Sequence, residues 1–129
     1  MNGKIIIRTD RAPLPIGPYN QAVLAGNWMF VSGQIALEPD TGELVTGDIK
    51  AETRRVMENI GAILEAAGLD FKNIVKTSVF LTDIGNFTAV NEVYGQYFSD
   101  ADAPARETVQ VARLPKNVNV EISVIAMKS

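Results

Sequence analysis

The 129-residue chain contains neither cysteine nor histidine. Without cysteine it has no disulfide, no thiolate nucleophile and no sulfur ligand for a metal. Without histidine it lacks the commonest general base near neutral pH, which excludes Ser-His-Asp catalysis, His-based zinc hydrolysis and paired-histidine ribonuclease chemistry. Chemistry must therefore come from the remaining polar side chains, from backbone N–H groups, or from a hard-metal site built of carboxylates alone.

The sequence is also poor in positive charge and in long apolar runs. Its 12 Lys and Arg residues against 15 Asp and Glu residues give a formal net charge of −3, which argues against a nucleic-acid binder held by phosphate contacts. Arg8 ends the short apolar run 5–7, and no run is long enough for a membrane span or a signal peptide. We therefore expect a cytoplasmic protein with neither nucleic acid nor a membrane as a partner.

Length and composition predict one globular domain over residues 1–129. Apolar residues make up 47% of the chain and charged residues 21%, which is close to the globular average. The length fits a single domain with its own core, and no repeat, linker or low-complexity stretch divides it. The phosphate-binding patterns GxGxxG and GxxxxGKS/T are absent, which favours a cofactor-free site.

Hydrophobic periodicity predicts six strands and two helices. The β-branched and alternating segments that predict strands are 4–8, 20–24, 28–34, 74–82, 108–112 and 118–126. The residues Ala25-Gly26-Asn27 predict a hairpin turn between the second and third strands. Strands gather at both ends of the chain with the helices inside, which predicts an α+β fold: a mixed β-sheet with two helices on one face.

The first predicted helix is the clearest element of the sequence. Asp48 is its expected N-cap, and Gly68 is its expected stop. The apolar residues at helical spacing are Ile49, Val56, Ile60, Ile63 and Ala67. The side that we expect to face solvent carries Lys50, Glu52, Arg54, Arg55 and Glu58. The second helix is expected over residues 87–98, with an apolar side formed by Phe87, Val90, Val93, Tyr94 and Tyr97.

Arg106 is the first candidate functional residue. It follows Pro104-Ala105 at the start of a predicted strand, and its planar guanidinium matches a carboxylate bidentately. On an extended chain it shares one face with Thr108 and Gln110, and this polar stripe suggests that one side of the strand lines a wet space. A solvated surface arginine remains the alternative interpretation.

Glu121 is the second candidate, because it lies within an otherwise apolar strand. Alternate residues from Val118 to Ala126 form an apolar face, whereas Asn119, Glu121 and Ser123 form the opposite face. Glu121 is therefore either a carboxylate on a solvated face or a placed acid or base. The third strand ends with Ser32-Gly33-Gln34, and Gly33 could allow a ligand to approach the backbone closely.

The sequence resembles the reactive-intermediate deaminase family, also called the YjgF/YER057c/UK114 family. Its most specific signature is Pro104-Ala105-Arg106, Val109, Val111-Ala112-Arg113-Leu114-Pro115 and Val120-Glu121-Ile122. The upstream segments that also match are Ile16-Gly17-Pro18-Tyr19 with Gln21, Ser32-Gly33-Gln34-Ile35, Val75-Lys76-Thr77 with Val79-Phe80, and Asn91-Glu92-Val93-Tyr94. The agreement runs in order through nearly the whole chain, which makes it more specific than any one motif.

The resemblance implies a fold, an assembly and an activity. The fold would be shared with the trimeric chorismate mutases, and three chains would pack their sheets into a central barrel, with sites in the clefts between neighbouring chains. The activity would be the cofactor-free hydrolysis of 2-iminobutanoate and 2-iminopropanoate to 2-oxo acids and ammonia. These imines escape from pyridoxal-phosphate enzymes, so the role would be control of metabolite damage.

The resemblance also implies residue roles. Arg106 would bind the substrate carboxylate, and Glu121 would position or activate the attacking water. The residues implied to bind the substrate are Tyr19, Ser32, Gly33 and Asn91, together with the backbone at Thr108. Glu107 and Thr108 stand where the family often has Ser-Cys, and strand alternation predicts that the Glu107 carboxylate points away from Arg106.

Two other functions are compatible with the resemblance. The same arginine could hold a 2-oxo acid without turnover, in a small-molecule binding or regulatory module. An endoribonuclease activity has been attached to relatives, but the negative net charge, the missing histidine and the absence of a basic-aromatic stripe count against it.

Overall fold

Six strands form one mixed sheet in the computed structural model, which describes residues 3–129. The strands are β1 (Ile5–Ile7), β2 (Ala22–Ala25), β3 (Trp28–Gln34), β4 (Ile74–Leu81), β5 (Ala105–Gln110) and β6 (Val120–Met127). Their order across the sheet is β1-β2-β3-β6-β4-β5. β4 and β5 run parallel, and the other neighbouring pairs run antiparallel. The predicted α+β class with a mixed sheet is confirmed.

The turn between β2 and β3 follows the predicted hairpin chemistry. Ala25 pairs with Trp28, so the connection consists of Gly26 and Asn27 alone. Gly26 has a φ of 62°, a left-handed conformation that costs glycine nothing because it has no Cβ.

The two helices are α1 (Ile49–Ala66) and α2 (Phe87–Tyr94). The Asp48 carboxylate accepts from the backbone N–H of Lys50 at 3.0 Å, and Gly68 beyond the end of α1 has a φ of 76°, so the predicted N-cap and stop are confirmed. The second helix is shorter than the predicted 87–98, because the chain tightens into a 3-10 turn at Gly95–Tyr97. Glycine is a poor helix former, which explains where α2 ends.

Both helices lie on one face of the sheet, where the core is. α1 packs against β3, β6 and α2, and its fully buried apolar side chains are Val56, Met57, Ile60, Ile63 and Leu64. Along β6 the residues that face the helices are also buried, namely Val120, Ile122, Val124 and Ala126. In residues 3–129 no helix is long and apolar enough to cross a bilayer.

The opposite face of the sheet, called here the open face, carries no helix. Its register places Phe30 beside Ile125 and Trp28 beside Met127. Exposed apolar side chains on this face are Ile6, Trp28, Phe30, Val109 and Met127, each at least 39% exposed. So large an apolar surface on one face is typical of a surface that another protein chain covers.

β5 begins three residues earlier than predicted. The expected strand was 108–112, whereas the observed strand is Ala105–Gln110. Its parallel pairing with β4 starts where Ala105 meets Lys76 and places Arg106 beside Thr77. Arg106 therefore lies within β5, an edge strand of the sheet, and the pairing with β4 fixes the direction of its side chain.

Glu52 contradicts its predicted place on the solvent side of α1. It is fully buried, and its carboxylate accepts from the backbone N–H of Asn119 at 2.8 Å, from Asn119 Nδ2 at 2.8 Å and from the backbone N–H of Val120 at 3.2 Å. These donors lie where β6 begins, so the first turn of α1 supplies the acceptor for them. The prediction was wrong because helical periodicity cannot reveal a polar partner on another element.

We expect Glu52→Ala to lower the free energy of unfolding by roughly 2–4 kcal/mol, because it leaves buried N–H donors without acceptors. Urea denaturation at fixed protein concentration measures the loss. The control is Glu58→Ala on the same helix, whose side chain is 52% exposed and whose loss should change stability by less than about 0.5 kcal/mol. Equal effects of the two substitutions would contradict the structural role of Glu52.

Candidate functional site

The Glu121 side chain lies beside a break in the pairing of β3 with β6. Val31 pairs with Val124 and Gln34 with Ile122, so Ser32 and Gly33 together oppose one residue of β6, which is a β-bulge. A Cβ on Gly33 would lie 2.5 Å from Oε2 of Glu121, closer than real Cβ contacts allow. The absence of a side chain at Gly33 is therefore what makes room for the Glu121 carboxylate.

The electrostatic state of Glu121 follows from this position. Glu121 is half-buried, and burial raises the pKa of its carboxyl above the usual value because it disfavours the charged form. Among the described residues no hydrogen bond or ion pair satisfies this carboxylate. A carboxylate in this state is suited to accept a proton from a water molecule.

A cleft of about 470 Å³ opens beside Glu121. Tyr19, which is half exposed, forms part of its wall together with Gly33. Most of the remaining wall is apolar, with contributions from Leu14, Ile16, Ile35, Leu37 and Pro115. The cleft is therefore a largely apolar cavity with two carboxylates at its side, Glu121 and Glu38, of which Glu38 is paired with Arg55. A mostly apolar cavity with a few polar groups is a common form of small-molecule site.

Gln21 holds one wall of this cleft and was given no role by the sequence analysis. It is buried, and its Nε2 donates to the backbone carbonyls of Thr9, Ala12 and Pro13 at 2.8–3.2 Å. Its Oε1 accepts from the backbone N–H of Thr9 at 2.8 Å. These bonds anchor the irregular segment that leads to Ile16 and Tyr19. The sequence feature that could have revealed this role is a glutamine directly before the apolar residues of β2.

Lys116 is a second residue of this cleft, which the sequence indicates only as a solvated surface charge. It lines the cleft and has a φ of 56°, and Asn117 after it has a φ of 57°. Two consecutive residues other than glycine in the left-handed region store backbone strain, which tends to occur at functional sites. The sequence shows only the preceding Pro115, which marks a turn but not its hand.

Ser32 lies next to Gly33 but directs its hydroxyl elsewhere. Its Oγ donates to the backbone carbonyl of Asn20 at 2.6 Å, and its N–H donates to the carbonyl of Gln21 at 2.9 Å. The side chain thus ties the bulge to the segment before β2. In this structure Ser32 shapes the cleft through Gly33 rather than through its own hydroxyl.

Arg106 forms a separate cluster with residues of α2. Its Nη1 donates to Oδ1 of Asn91 at 2.7 Å, and its Cζ lies 4.9 Å from the ring centroid of Tyr94 and 5.6 Å from that of Phe87. Both distances fall within the range of cation–π contacts. Asn91, which the resemblance places in the substrate pocket, contacts the candidate carboxylate-binding arginine through its amide oxygen.

The clusters of Arg106 and Glu121 lie on opposite faces of the sheet. Arg106 pairs with Thr77, and Thr77 pairs with the buried Val124, so Arg106 points to the face that carries the helices. Glu121 differs from Val124 by an odd number of residues and points to the open face. Thr108 shares the face of Arg106. A single chain therefore does not bring the two principal candidates together.

Glu107 points away from Arg106, as strand alternation predicts. Its Oε1 forms an ion pair with Nζ of Lys76 at 2.9 Å, and its Oε2 accepts from the hydroxyl of Ser78. The hydrogen bond from Ser78 and the neighbouring Lys76 lower the pKa of Glu107. The Glu107 carboxylate thus has its own partners on the open face and does not contact the Arg106 guanidinium.

Comparison with known proteins gives consistent matches over almost the whole chain. The family model described as Endoribonuclease L-PSP matches residues 9–128. A RutC family protein of Pyrococcus horikoshii is 54% identical over 97% of this chain and 98% of its own length. The 2-iminobutanoate/2-iminopropanoate deaminase of Homo sapiens is 48% identical over 95% of this chain and 89% of its own length.

A solved structure supports the same relationship at the level of the fold. The crystal structure of TdcF from E. coli with bound serine has a TM-score of 0.91 and 49% sequence identity, and the match covers 97% of this chain and 99% of TdcF. Sequence identity of this size across the full length, together with the match to the family model, leaves one assignment. This chain belongs to the reactive-intermediate deaminase (YjgF) family.

Proposed function

We propose that the protein hydrolyses reactive 2-imino acids, such as 2-iminobutanoate and 2-iminopropanoate, to 2-oxo acids and ammonia without a cofactor. The observation that carries the proposal is the half-buried Glu121 carboxylate, whose raised pKa and position beside Gly33 suit it to act on water in the cleft. The name of the human relative supports the same reaction. The protein would thereby remove imines released by pyridoxal-phosphate enzymes.

The proposed reaction needs little more than positioning. Arg106 binds the carboxylate of the imino acid and neutralises its charge. Glu121 in its ionised form takes a proton from water as the water oxygen bonds to the electrophilic imine carbon. Glu121 passes this proton to the nitrogen, which gives a carbinolamine. The hydroxyl proton of the carbinolamine then moves to the nitrogen, the C–N bond breaks as the C=O bond forms, and ammonia leaves. Orientation and one placed base are sufficient because the imine carbon is already electrophilic.

The proposed site requires more than one chain, because Arg106 and Glu121 point to opposite faces of the sheet. We propose a homotrimer in which Arg106 of one chain completes the cleft at Glu121 of its neighbour. The open face supports this arrangement, since its apolar side chains are uncovered in the single chain. Closed assemblies of identical chains bury such surfaces.

We expect light scattering at micromolar concentration to give three times the mass of the chain. Phe30→Lys places a charge on the open face and should dissociate the assembly, because a buried unpaired charge is costly. The control is Ile5→Lys, which changes an exposed apolar residue on the other face of the sheet and should leave the mass unchanged. A monomer mass for the parent protein would contradict the trimer.

We expect Arg106→Ala to lose at least about tenfold in affinity, because a charge-assisted bond to a carboxylate is worth roughly 1.5–3 kcal/mol. Arg106→Lys should rescue poorly, since an ammonium cannot reproduce the planar fork. The assay follows the disappearance of 2-iminobutanoate generated in situ. Arg8→Ala, at an exposed arginine outside both clusters, is the control. A folded, fully assembled Arg106→Ala protein with parental activity would refute the assignment.

We expect Glu121→Gln to lower kcat by about 10²–10⁴-fold with little change in KM, the usual contribution of a general base. In the parent, kcat/KM should fall as the pH drops through the Glu121 pKa, because only the ionised carboxylate accepts a proton. Burial raises that pKa, so the fall should lie above 4.5. Glu121→Gln should abolish this limb of the profile. An unchanged kcat would assign Glu121 a structural role.

A non-catalytic module that binds small carboxylates is the second candidate, and the serine bound to TdcF favours it. The binding module requires Arg106 but not Glu121, so it predicts tight binding of 2-oxobutanoate by calorimetry and no acceleration of imine loss. The description of the family model names an endoribonuclease. Ribonuclease chemistry with a histidine base is excluded here, because the sequence contains no histidine.

A further inference from the structure

We infer that Tyr94, locked by Thr77, is a positioning residue that fixes the orientation of the Arg106 guanidinium; this inference rests on the function proposed above for Arg106. Tyr94 ends α2 and is 6% exposed. Neither its ring nor its hydroxyl has a part in the proposed chemistry, so its contacts with Arg106 and Thr77 need a separate explanation.

Three contacts connect these residues into one unit. The Tyr94 ring lies 4.9 Å from Cζ of Arg106, and its hydroxyl donates to Oγ1 of Thr77 at 3.0 Å. Thr77 is in turn the neighbour of Arg106 across the β4–β5 pairing. The strand that sets the position of the arginine backbone therefore also sets the position of the ring beside its guanidinium.

Burial keeps this unit in one state. Desolvation raises the pKa of the Tyr94 hydroxyl. The hydrogen bond with Thr77 and the charge of Arg106 lower this pKa, but by less than desolvation raises it. The phenol thus remains a neutral donor throughout the working pH range. Thr77 is fully buried, so its hydroxyl has no contact with bulk water. The ring is consequently fixed at both its apolar body and its polar end.

Tyr94 differs in this respect from the second ring beside the guanidinium. Phe87 lies farther away, at 5.6 Å from Cζ, and is 39% exposed, and a phenylalanine has no hydroxyl to anchor it. Asn91 occupies one N–H of Nη1 and fixes rotation in the guanidinium plane. Tyr94 supplies the complementary restraint, because a ring against the flat surface prevents tilting out of that plane.

A fixed guanidinium gives a physical advantage in carboxylate binding. A free arginine side chain loses rotamer entropy when it engages a ligand. An arginine already held against a ring and an amide presents its remaining N–H groups without that loss. Tyr94 should therefore act on substrate affinity through Arg106, without touching the substrate.

The test compares the full-length proteins Tyr94→Leu, which removes the ring, and Tyr94→Phe, which keeps the ring and removes its anchor to Thr77. The control is Tyr97→Phe, because Tyr97 packs on Phe71 at 4.9 Å rather than on Arg106. The first readout is the 15N–1H signal of the Arg106 Nε–H group, identified by its loss in Arg106→Lys. The second is the split of KM and kcat for 2-iminobutanoate.

We expect Tyr94→Leu to remove the ring-current shift of the Arg106 signal and to raise KM by roughly 2- to 30-fold, the range of a cation–π contact, with a smaller change in kcat. Tyr94→Phe should move the signal in the same direction by less and raise KM less. Tyr97→Phe should leave both unchanged. Thermal melts exclude unfolded variants, and Tyr94→Phe serves if Tyr94→Leu does not fold.

The two readouts separate failure of this inference from failure of the proposed function. An Arg106 signal and a KM that stay at parental values in folded Tyr94 variants would overturn the positioning role, even with an active enzyme. If Arg106→Ala keeps parental activity, the proposed function fails, and the NMR signal still decides whether Tyr94 orients the guanidinium. A lowered melting temperature with an unchanged signal and KM would also overturn it, since that is the mark of a purely structural residue.

Discussion

The two-residue period of the β-strand is the constraint on which the rest of the structure depends. It sends alternate side chains of β4, β5 and β6 to the helices or to the open face, and a slip of one residue would exchange the two sets. It places the Arg106 side chain on the face that carries the helices and the Glu121 side chain on the open face. The same alternation separates Arg106 from its chain neighbour Glu107, which pairs with Lys76 instead. The division between the two faces therefore determines the surroundings of each candidate residue and keeps Arg106 and Glu121 apart within one chain.

Features that depend on neighbouring residues could be predicted from the sequence. The Asp48 cap, the stop at Gly68 and the turn at Gly26 are local, and each requires a particular residue type at one position. The strands and the class of fold followed from alternation for the same reason. Arg106 stood out as an arginine at the start of a predicted strand and Glu121 as a carboxylate within an apolar strand. Their roles came from a resemblance rather than from geometry.

Features that depend on pairing between distant segments could not be predicted. Glu52 bonds residues that lie 67 and 68 positions away, and no helical pattern distinguishes it from a solvated glutamate. Asn91 accepts from an arginine that a parallel pairing brings to it. The start of β5 at Ala105 likewise depends on where β4 accepts it, which explains the error of three residues. Long-range register is decided by the whole sheet, so a single segment carries little information about it.

Two glutamates show how the fold assigns different tasks to one residue type. The fully buried Glu52 has its oxygens occupied by three N–H donors at the start of β6, so it can only serve as a fixed acceptor. The half-buried Glu121 lies beyond those donors on the same strand, beside a glycine and a cleft, where burial raises its pKa and no described partner occupies it. In a chain without histidine, partial burial of a carboxylate is one way to raise the pKa of a base towards neutral pH. Gly33 permits this position of the carboxylate, because a Cβ at residue 33 would collide with Oε2 of Glu121.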